Sequence, residues 1–223
     1  VPNGSLSLPA RLYLLAWDTN RTEVTGAARL PHLVRAGALT ELAQRGLLVD
    51  EDGIATPADM DSLTGDTALD GLLELVRESR PHRWRTWVTL HARVTLDAVR
   101  EQLTAAGYLR AEKKRVLGVF PSVEHVLEQG ALVDALQEEA RRVLEGPVPV
   151  SEVSDRDAAV VALAAAAELR TVLPGKDRKR HKARVDALTE RSGAAAPALR
   201  KVVTEVHTAL IAAVTTVAVT AGD

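Results

Sequence analysis

Apolar side chains recur at helical spacing along most of the chain, and short runs bounded by turn residues interrupt that rhythm. Leu8 to Asp18 predicts a first helix, broken by Asp18-Thr19-Asn20. Arg29 to Arg45 predicts a second, with Leu33, Val34, Ala38, Leu39 and Leu42 on its buried face, an early interruption at Pro31 and an end at Gly46. Between Leu47 and Pro57 two short apolar runs flank Asp52-Gly53, which is a hairpin signal. A helix followed by a small hairpin is the outline of a winged-helix unit. Leu69, Leu72, Leu73 and Val76 form the stripe of an amphipathic helix over Thr67 to Ser79, with Thr64 or Asp66 as N-cap and Arg80-Pro81 as its stop. Trp84 to His91 predicts a short helix. Thr95 then caps another running to about Ala106, and Gly107 stops it.

Tyr108 to Pro121 predicts two strands around a charged turn, with Val116, Leu117, Val119 and Phe120 in the second arm. Alternation sends some of these four outward, where they can enter a membrane interface or a partner subunit; covered, they are ordinary core. Helical spacing resumes from Ser122 to Leu144, Gly146 to Pro149 forms a linker, and Ser154 caps an alanine-rich helix over Asp155 to Leu173 that Pro174-Gly175 ends. A basic segment leads into a helix containing Val185 and Leu188, and Gly193 and Pro197 mark a turn before the last helix. The most apolar run, Val206 to Ala221, falls short of the ~20 residues of a spanning helix, carries His207 and several threonines, and reads as a buried core helix. The predicted fold is mainly α: a single compact helical domain over residues 6–223 with two small β-hairpins, one of them hydrophobic and projecting. Val1 to Ser5 is set aside as an appended segment.

Composition narrows the function classes. Apolar residues make up 46% of the 223, mostly Ala, Val and Leu, while aromatics are only 3%, so the core is aliphatic and suits helices. The richness in Ala, Arg and Val also fits a GC-rich bacterial genome. With no cysteine, disulfides, thiol catalysis and thiolate metal sites are excluded. No basic region followed by a continuous apolar stretch opens the chain, so a cytoplasmic protein is expected. There is no glycine-rich phosphate loop, no His-Glu-x-x-His and no Gly-x-Ser-x-Gly, and none of the six histidines pairs with another at i, i+4. Asp50-Glu51-Asp52 reads as a solvated turn rather than a metal site. Neither an enzyme nor a cofactor is expected.

The net charge is −2, so any contact with a polyanion needs a local patch. Lys176, Arg178, Lys179, Arg180, Lys182 and Arg184 form the clearest one. Its plain reading is a solvated helix start. Its functional reading is phosphate contact, since each basic residue near an anionic bilayer contributes on the order of 1 kcal/mol. The same residues suit a nucleic-acid backbone. The winged-helix outline does not support DNA, because the helix before the wing offers only Arg35 and Arg45 around Glu41 and the wing itself is acidic. No nucleic-acid partner is expected.

Four stretches, in order, resemble the Golgi phosphoprotein 3 family. They are Leu12-Tyr-Leu-Leu-Ala-Trp-Asp18; Val34-Arg-Ala-Gly-Ala-Leu-Thr-Glu-Leu-Ala-Gln-Arg-Gly-Leu-Leu48; Thr64-Gly-Asp-Thr-Ala-Leu-Asp70 continuing through Arg80-Pro81 to Trp87-Val88; and Val99-Arg-Glu-Gln-Leu103 running through Gly107-Tyr-Leu109 to Glu112-Lys113. The resemblance implies a compact helical fold with a projecting hydrophobic hairpin, binding of phosphatidylinositol 4-phosphate on a membrane-facing surface, and no catalysis. Eukaryotic members also hold the cytosolic tails of Golgi enzymes, a partner class that does not transfer to a bacterial chain, and they self-associate, which makes a homo-oligomer an expectation here.

Carried over position by position, Arg35 and Arg100 match two phosphate-binding arginines of the family. Asp97 stands where a third would be, and Gly26 lies near the family's pocket tryptophan. Arg29, His32 and Arg93 are nearby candidates to compensate. Together these residues imply a less specific anionic-lipid or phosphoinositide site on a peripherally membrane-associated protein. Paired arginine forks would hold phosphate oxygens, and the Val116 to Phe120 arm would insert. The structural alternative ties Arg35 and Arg100 into ion pairs with Glu41 or Asp97. An oligomeric scaffold joined through the 108–121 hairpin is a further reading.

Overall fold

The computed structural model describes residues 6–116 and 120–220, with the side chains of 114–122 and 220 outside that description. Its centre is a pair of helices, α1 (Leu8–Leu15) and α2 (Leu30–Gln44). Every residue of α1 and nearly every residue of α2 is buried. A helix apolar on all sides belongs inside a bundle rather than on its surface. Proline sits at the start of each, where its missing N–H costs nothing. Pro31 therefore opens α2 instead of interrupting it. The Leu8 N–H of α1 donates to the buried Glu41 carboxylate of α2 at 2.5 Å. An anion is thus placed at a helix N-terminus, where its charge is favoured.

The two helices approach closely at Gly37. A Cβ there would lie 2.6 Å from Leu12 Cδ1, 2.9 Å from Leu8 Cδ2 and 3.3 Å from the Pro9 backbone. Leu8 and Leu12 are themselves fully buried, so neither can swing aside. Around this pair pack α3 (Thr67–Glu78), α4 (Trp84–Thr89), α5 (Ala92–Ala105), α7 (Asp155–Ala166) and α9 (Pro197–Thr220), with α6 (Gly130–Glu145) and α8 (Arg178–Ser192) against α7. Asp66 caps α3 by accepting from the amides of Ala68 and Leu69, and Ser154 caps α7 by accepting from Asp157.

Three antiparallel two-stranded hairpins complete the described residues, one more than the sequence predicts. The extra one pairs β1 (Trp17–Asp18) with β2 (Glu23–Val24), so the first helix ends at Leu15 and its expected last residues turn into a strand. The second pairs β3 (Leu48–Glu51) with β4 (Ile54–Pro57), and Asp52 and Gly53 both take positive φ, as a tight hairpin turn requires. The third pairs β5 (Leu109–Val116) with β6 (Phe120–Leu127). Its strands extend past the predicted arms, and β6 replaces the helix expected from Ser122. Val116 and Phe120 are register partners on opposite strands rather than members of one arm. Leu117 and Val119 lie outside the described residues, so the exposure of this apolar set is not described.

Two other boundaries move for local reasons. α5 starts at Ala92 with His91 in the left-handed region at its N-cap, because Thr95 is buried inside the helix as a hydrogen-bond acceptor rather than capping it. α7 stops at Ala166, where Glu168 takes a φ of 58°, so the expected run to Leu173 becomes a loop. The last helix is longer than the apolar run alone, because Pro197 starts it and Arg200, Lys201 and Glu205 occupy its first turns. By length and composition it could cross a membrane, with a mean hydropathy of 1.7 over its most apolar window and 39% of that window buried. Val202, Val206, Leu210 and Val214 are its buried side, and it packs on α2 and α4.

Asp50 joins β3 to this shell, accepting from Trp84 Nε1 at 3.0 Å and Lys201 Nζ at 2.5 Å. Burial pushes its carboxyl pKa up. The hydrogen bonds from Lys201 and Trp84 outweigh that and hold it below the ordinary carboxylate range.

Two stability predictions follow from this packing. Replacing Gly37 by valine is expected to cost about 1–3 kcal/mol through overpacking, more than the few tenths regained in helix propensity. Its urea midpoint should fall, and an unchanged midpoint would show that α1 and α2 do not meet this closely. Burial lowers the pKa of His207, with a hydrogen bond to the Ala162 backbone opposing. Below the usual value of about 6.5 the unfolded chain takes up a proton that the folded chain refuses. Stability should therefore drop between pH 7 and pH 5. His207→Gln should flatten that dependence, and an equal slope in the variant would refute the assignment.

Candidate anion-binding surface

The sequence singles out cations, and what each guanidinium or ammonium already holds decides what it can still bind. Arg35 on α2 is fully buried. Its Nε donates to Thr95 Oγ1 at 2.8 Å, one Nη to the Trp87 carbonyl at 3.3 Å and the other to the His91 carbonyl at 2.7 Å. Burial lowers its pKa to about 10, so it stays charged at neutral pH. This corrects the expectation that Arg35 meets a phosphate: it is a clamp joining α2 to the α4–α5 corner. The alternative partner, Glu41, caps α1 and approaches Arg45 at 3.7 Å instead.

His32, one turn earlier on α2, has Nδ1 3.4 Å from the Val88 carbonyl of α4 and stays half-buried. Arg93 and Val94 are both exposed at the start of α5, and Arg93 has no hydrogen-bond or ion-pair partner among the described residues. Arg100 follows seven residues later on the same face of α5. Its Nη is 3.5 Å from Asp97, and its guanidinium lies 5.7 Å from the centroid of the Tyr13 ring. The ion pair with Asp97 expected as the structural alternative is therefore present. Its side chain is still 27% exposed, so it is tethered but reachable.

The β5–β6 hairpin stands beside this face. Burial lowers the pKa of His125 on β6, and Arg100 adds to the effect while Asp97 opposes it. The packing of β5 against α5 brings the hairpin and this face together. Two residues further along the same side of β6, Val123 is 55% exposed.

The basic segment does not act as one patch. Arg178 is bound to Glu168 at 2.6 Å, and Arg184 donates to the carbonyls of Val143 and Val148, securing the linker after α6. Lys182 pairs with Asp186 at 2.5 Å on the surface. Lys176, Lys179 and Arg180 are exposed and hold no partner among the described residues. They sit at α8, which packs on α7 and α6, whereas α5 packs on α2 and α3.

Arg29 leaves the α5 surface altogether. It lies at the N-cap of α2 and donates to Glu168 at 2.6 Å, on the wall of a cavity of about 880 Å³ that Gly26 also lines. Burial pushes the Glu168 carboxyl up, but hydrogen bonds from Arg29 and Arg178 prevail and keep it below the ordinary range. Arg21, Arg141 and Arg170 line the same cavity. Nothing in the sequence flags them, because residues 18–29 meet segments more than a hundred residues later in the chain and residue 170 falls in a stretch predicted as helix.

The described residues form a mainly helical core carrying three small hairpins, and among them no group of three or more His, Cys, Asp or Glu is placed to hold a metal. The model of the Golgi phosphoprotein 3 (GPP34) family matches residues 8–206, and the chain belongs to that family. None of the curated proteins matches it.

The clamp role of Arg35 is testable. Arg35→Met keeps the volume but leaves two carbonyls and the Thr95 hydroxyl without their donor. It should cost about 2–4 kcal/mol in urea unfolding. Arg35→Lys should recover only part of this. A loss under about 0.5 kcal/mol, within the range of an ordinary surface change, would refute the clamp.

Proposed function

We propose that the protein is a non-catalytic peripheral membrane protein that docks on an anionic bilayer through the Arg93–Arg100 face of α5 and the adjoining β5–β6 hairpin. The observation that carries this reading is their adjacency: β5 packs against α5, which bears Arg93, Arg100 and the exposed Val94, and its partner strand β6 bears the exposed Val123. An unpaired arginine and a tethered one beside exposed aliphatic side chains match the two layers of a bilayer surface, phosphates outside and acyl chains beneath. Family membership is compatible with lipid binding.

Phosphatidylinositol 4-phosphate is the headgroup the resemblance implies. Two features favour a broader anionic preference. Arg35 is withdrawn into the core, and Asp97 spends part of the Arg100 charge. A cytoplasmic protein recruited to the inner face of an acidic membrane fits the reading.

Co-sedimentation with vesicles of phosphatidylinositol 4-phosphate, phosphatidylinositol, phosphatidylglycerol or cardiolipin, against neutral vesicles, tests it at two salt concentrations. Binding to acidic vesicles should weaken with salt. Arg93→Glu should reduce it roughly tenfold, and Asp97→Asn should strengthen it. Equal binding by Arg93→Glu, with loss instead in a Lys179→Glu, Arg180→Glu double variant, would move docking to α8. No binding to any vesicle would remove the membrane function and bring the oligomeric scaffold forward.

A further inference from the structure

The cavity beside Arg29 is built from the β1–β2 turn, the start of α2, one face of α6 and the 168–174 loop, and the α5 face contributes no residue to it. Four arginines and three carboxylates line it. Two of the carboxylates are already engaged. Asp18 accepts from the amides of Asn20 and Arg21 inside its own turn, at 3.1 Å each. Both oxygens of Glu168 are taken, one by Arg29 and one by Arg178. Glu23 approaches only the exposed Arg21, at 3.7 Å.

The arginines are less fully matched. Arg29 and Arg178 share a single carboxylate. Arg170 is exposed with no partner among the described residues. Arg141 gives its strongest contact, 3.2 Å, to the exposed Glu138, and the rest of its donors reach Gln137 and the Thr171 carbonyl at 3.3–3.4 Å. The unspent charge in the cavity is therefore positive.

The hydroxyls show a complementary bias. Thr19 gives its proton to Asp134, Thr25 to the Ala16 carbonyl and Thr171 to the Leu15 carbonyl, at 2.7, 2.8 and 2.5 Å. All three threonines line the cavity, and their hydroxyl oxygens have only acceptor lone pairs left. A ligand matching both sets carries an anion for the arginines and several hydroxyl donors for the threonines.

We propose that this cavity is a second binding site, separate from the membrane-docking face, for a phosphorylated sugar. The phosphate lies among Arg29, Arg141 and Arg170, and the sugar hydroxyls donate to the threonine oxygens. The volume accommodates such a ligand with its water. Glu168 is the internal competitor for the phosphate, because it holds Arg29 in the ligand's absence.

Isothermal titration of the full chain, without vesicles, tests this with glucose 6-phosphate, mannose 1-phosphate and ribose 5-phosphate, against glucose and inorganic phosphate. At least one sugar phosphate should bind about tenfold or more tighter than either fragment. Arg170→Glu, at an exposed unpaired position, should weaken it at least about tenfold while far-ultraviolet circular dichroism stays unchanged. Glu168→Gln should tighten it. A sugar phosphate that binds no better than phosphate overturns the proposal, as does binding indifferent to Arg170→Glu. If no free sugar phosphate binds, vesicles carrying a phosphorylated glycolipid separate the remaining cases. Capture lost in Arg170→Glu supports a lipid-borne form of the ligand, and capture that is absent or unaffected overturns the site. The titration contains no membrane, so its failure is distinct from failure of the docking face.

Discussion

Burying a guanidinium costs several kcal/mol unless its donors find acceptors, and each of the three Arg35 nitrogens finds one without a carboxylate. Two backbone carbonyls and one hydroxyl receive it. The Trp87 carbonyl belongs to the last turn of α4, where helix carbonyls lack internal partners and carry partial negative charge. The His91 carbonyl belongs to the residue whose left-handed backbone starts α5. One cation thus satisfies the end of one helix and the beginning of the next while anchoring both to α2. The direction in which α5 leaves that corner decides where Arg93 and Arg100 point. Arg35 shapes the proposed docking face without being part of it.

The same accounting separates the remaining cations. Arg11, Arg184 and Arg191 hold carbonyls or carboxylates between elements and act as structural ties. Surface pairs such as Lys182–Asp186 contribute little and leave the charge locally cancelled. Of the cations weighed above as ligands, Arg93 with the tethered Arg100 on α5, Arg170 in the cavity, and Lys176, Lys179 and Arg180 at the start of α8 keep their charge available. A chain with a net charge of −2 therefore offers discrete cationic places rather than a cationic surface.

The mainly helical class, the central α2 and its buried face, the Asp52-Gly53 hairpin, the amphipathic α3 and the Ser154 cap were legible in the sequence. Each rests on periodicity or on turn chemistry that acts within a few residues. The misplaced features depend on contacts that no local pattern encodes. Thr95 looks like a cap until Arg35, sixty residues away, claims its hydroxyl. The alanine-rich run after Asp155 looks helical to Leu173, yet the chain turns at Glu168, whose carboxylate lies between arginines from α2 and α8. The strand β6 reads as helix because Val123, Val126 and Leu127 sit at spacings that fit either form. The candidate site was legible only as a choice of residue types. Which arginines are spent and which are free is a property of the folded chain.

Gly26 illustrates why position-by-position carry-over has limits. The resemblance puts a pocket tryptophan of the family near it, and the direct reading is a lost side chain. The backbone conformation matters as well. Gly26 takes a φ of 63°, a conformation that costs an ordinary L-residue roughly 1–2 kcal/mol. Its carbonyl receives the Arg29 N–H at 2.8 Å at the entry to α2. A Cβ there would meet nothing within 4 Å, so space is not what excludes a larger residue. The turn that glycine permits sets Arg29 on the cavity wall facing Glu168 rather than beside Arg35. An aromatic side chain at this position would have to adopt the same left-handed turn, so the glycine and the placement of Arg29 are tied through one stretch of backbone.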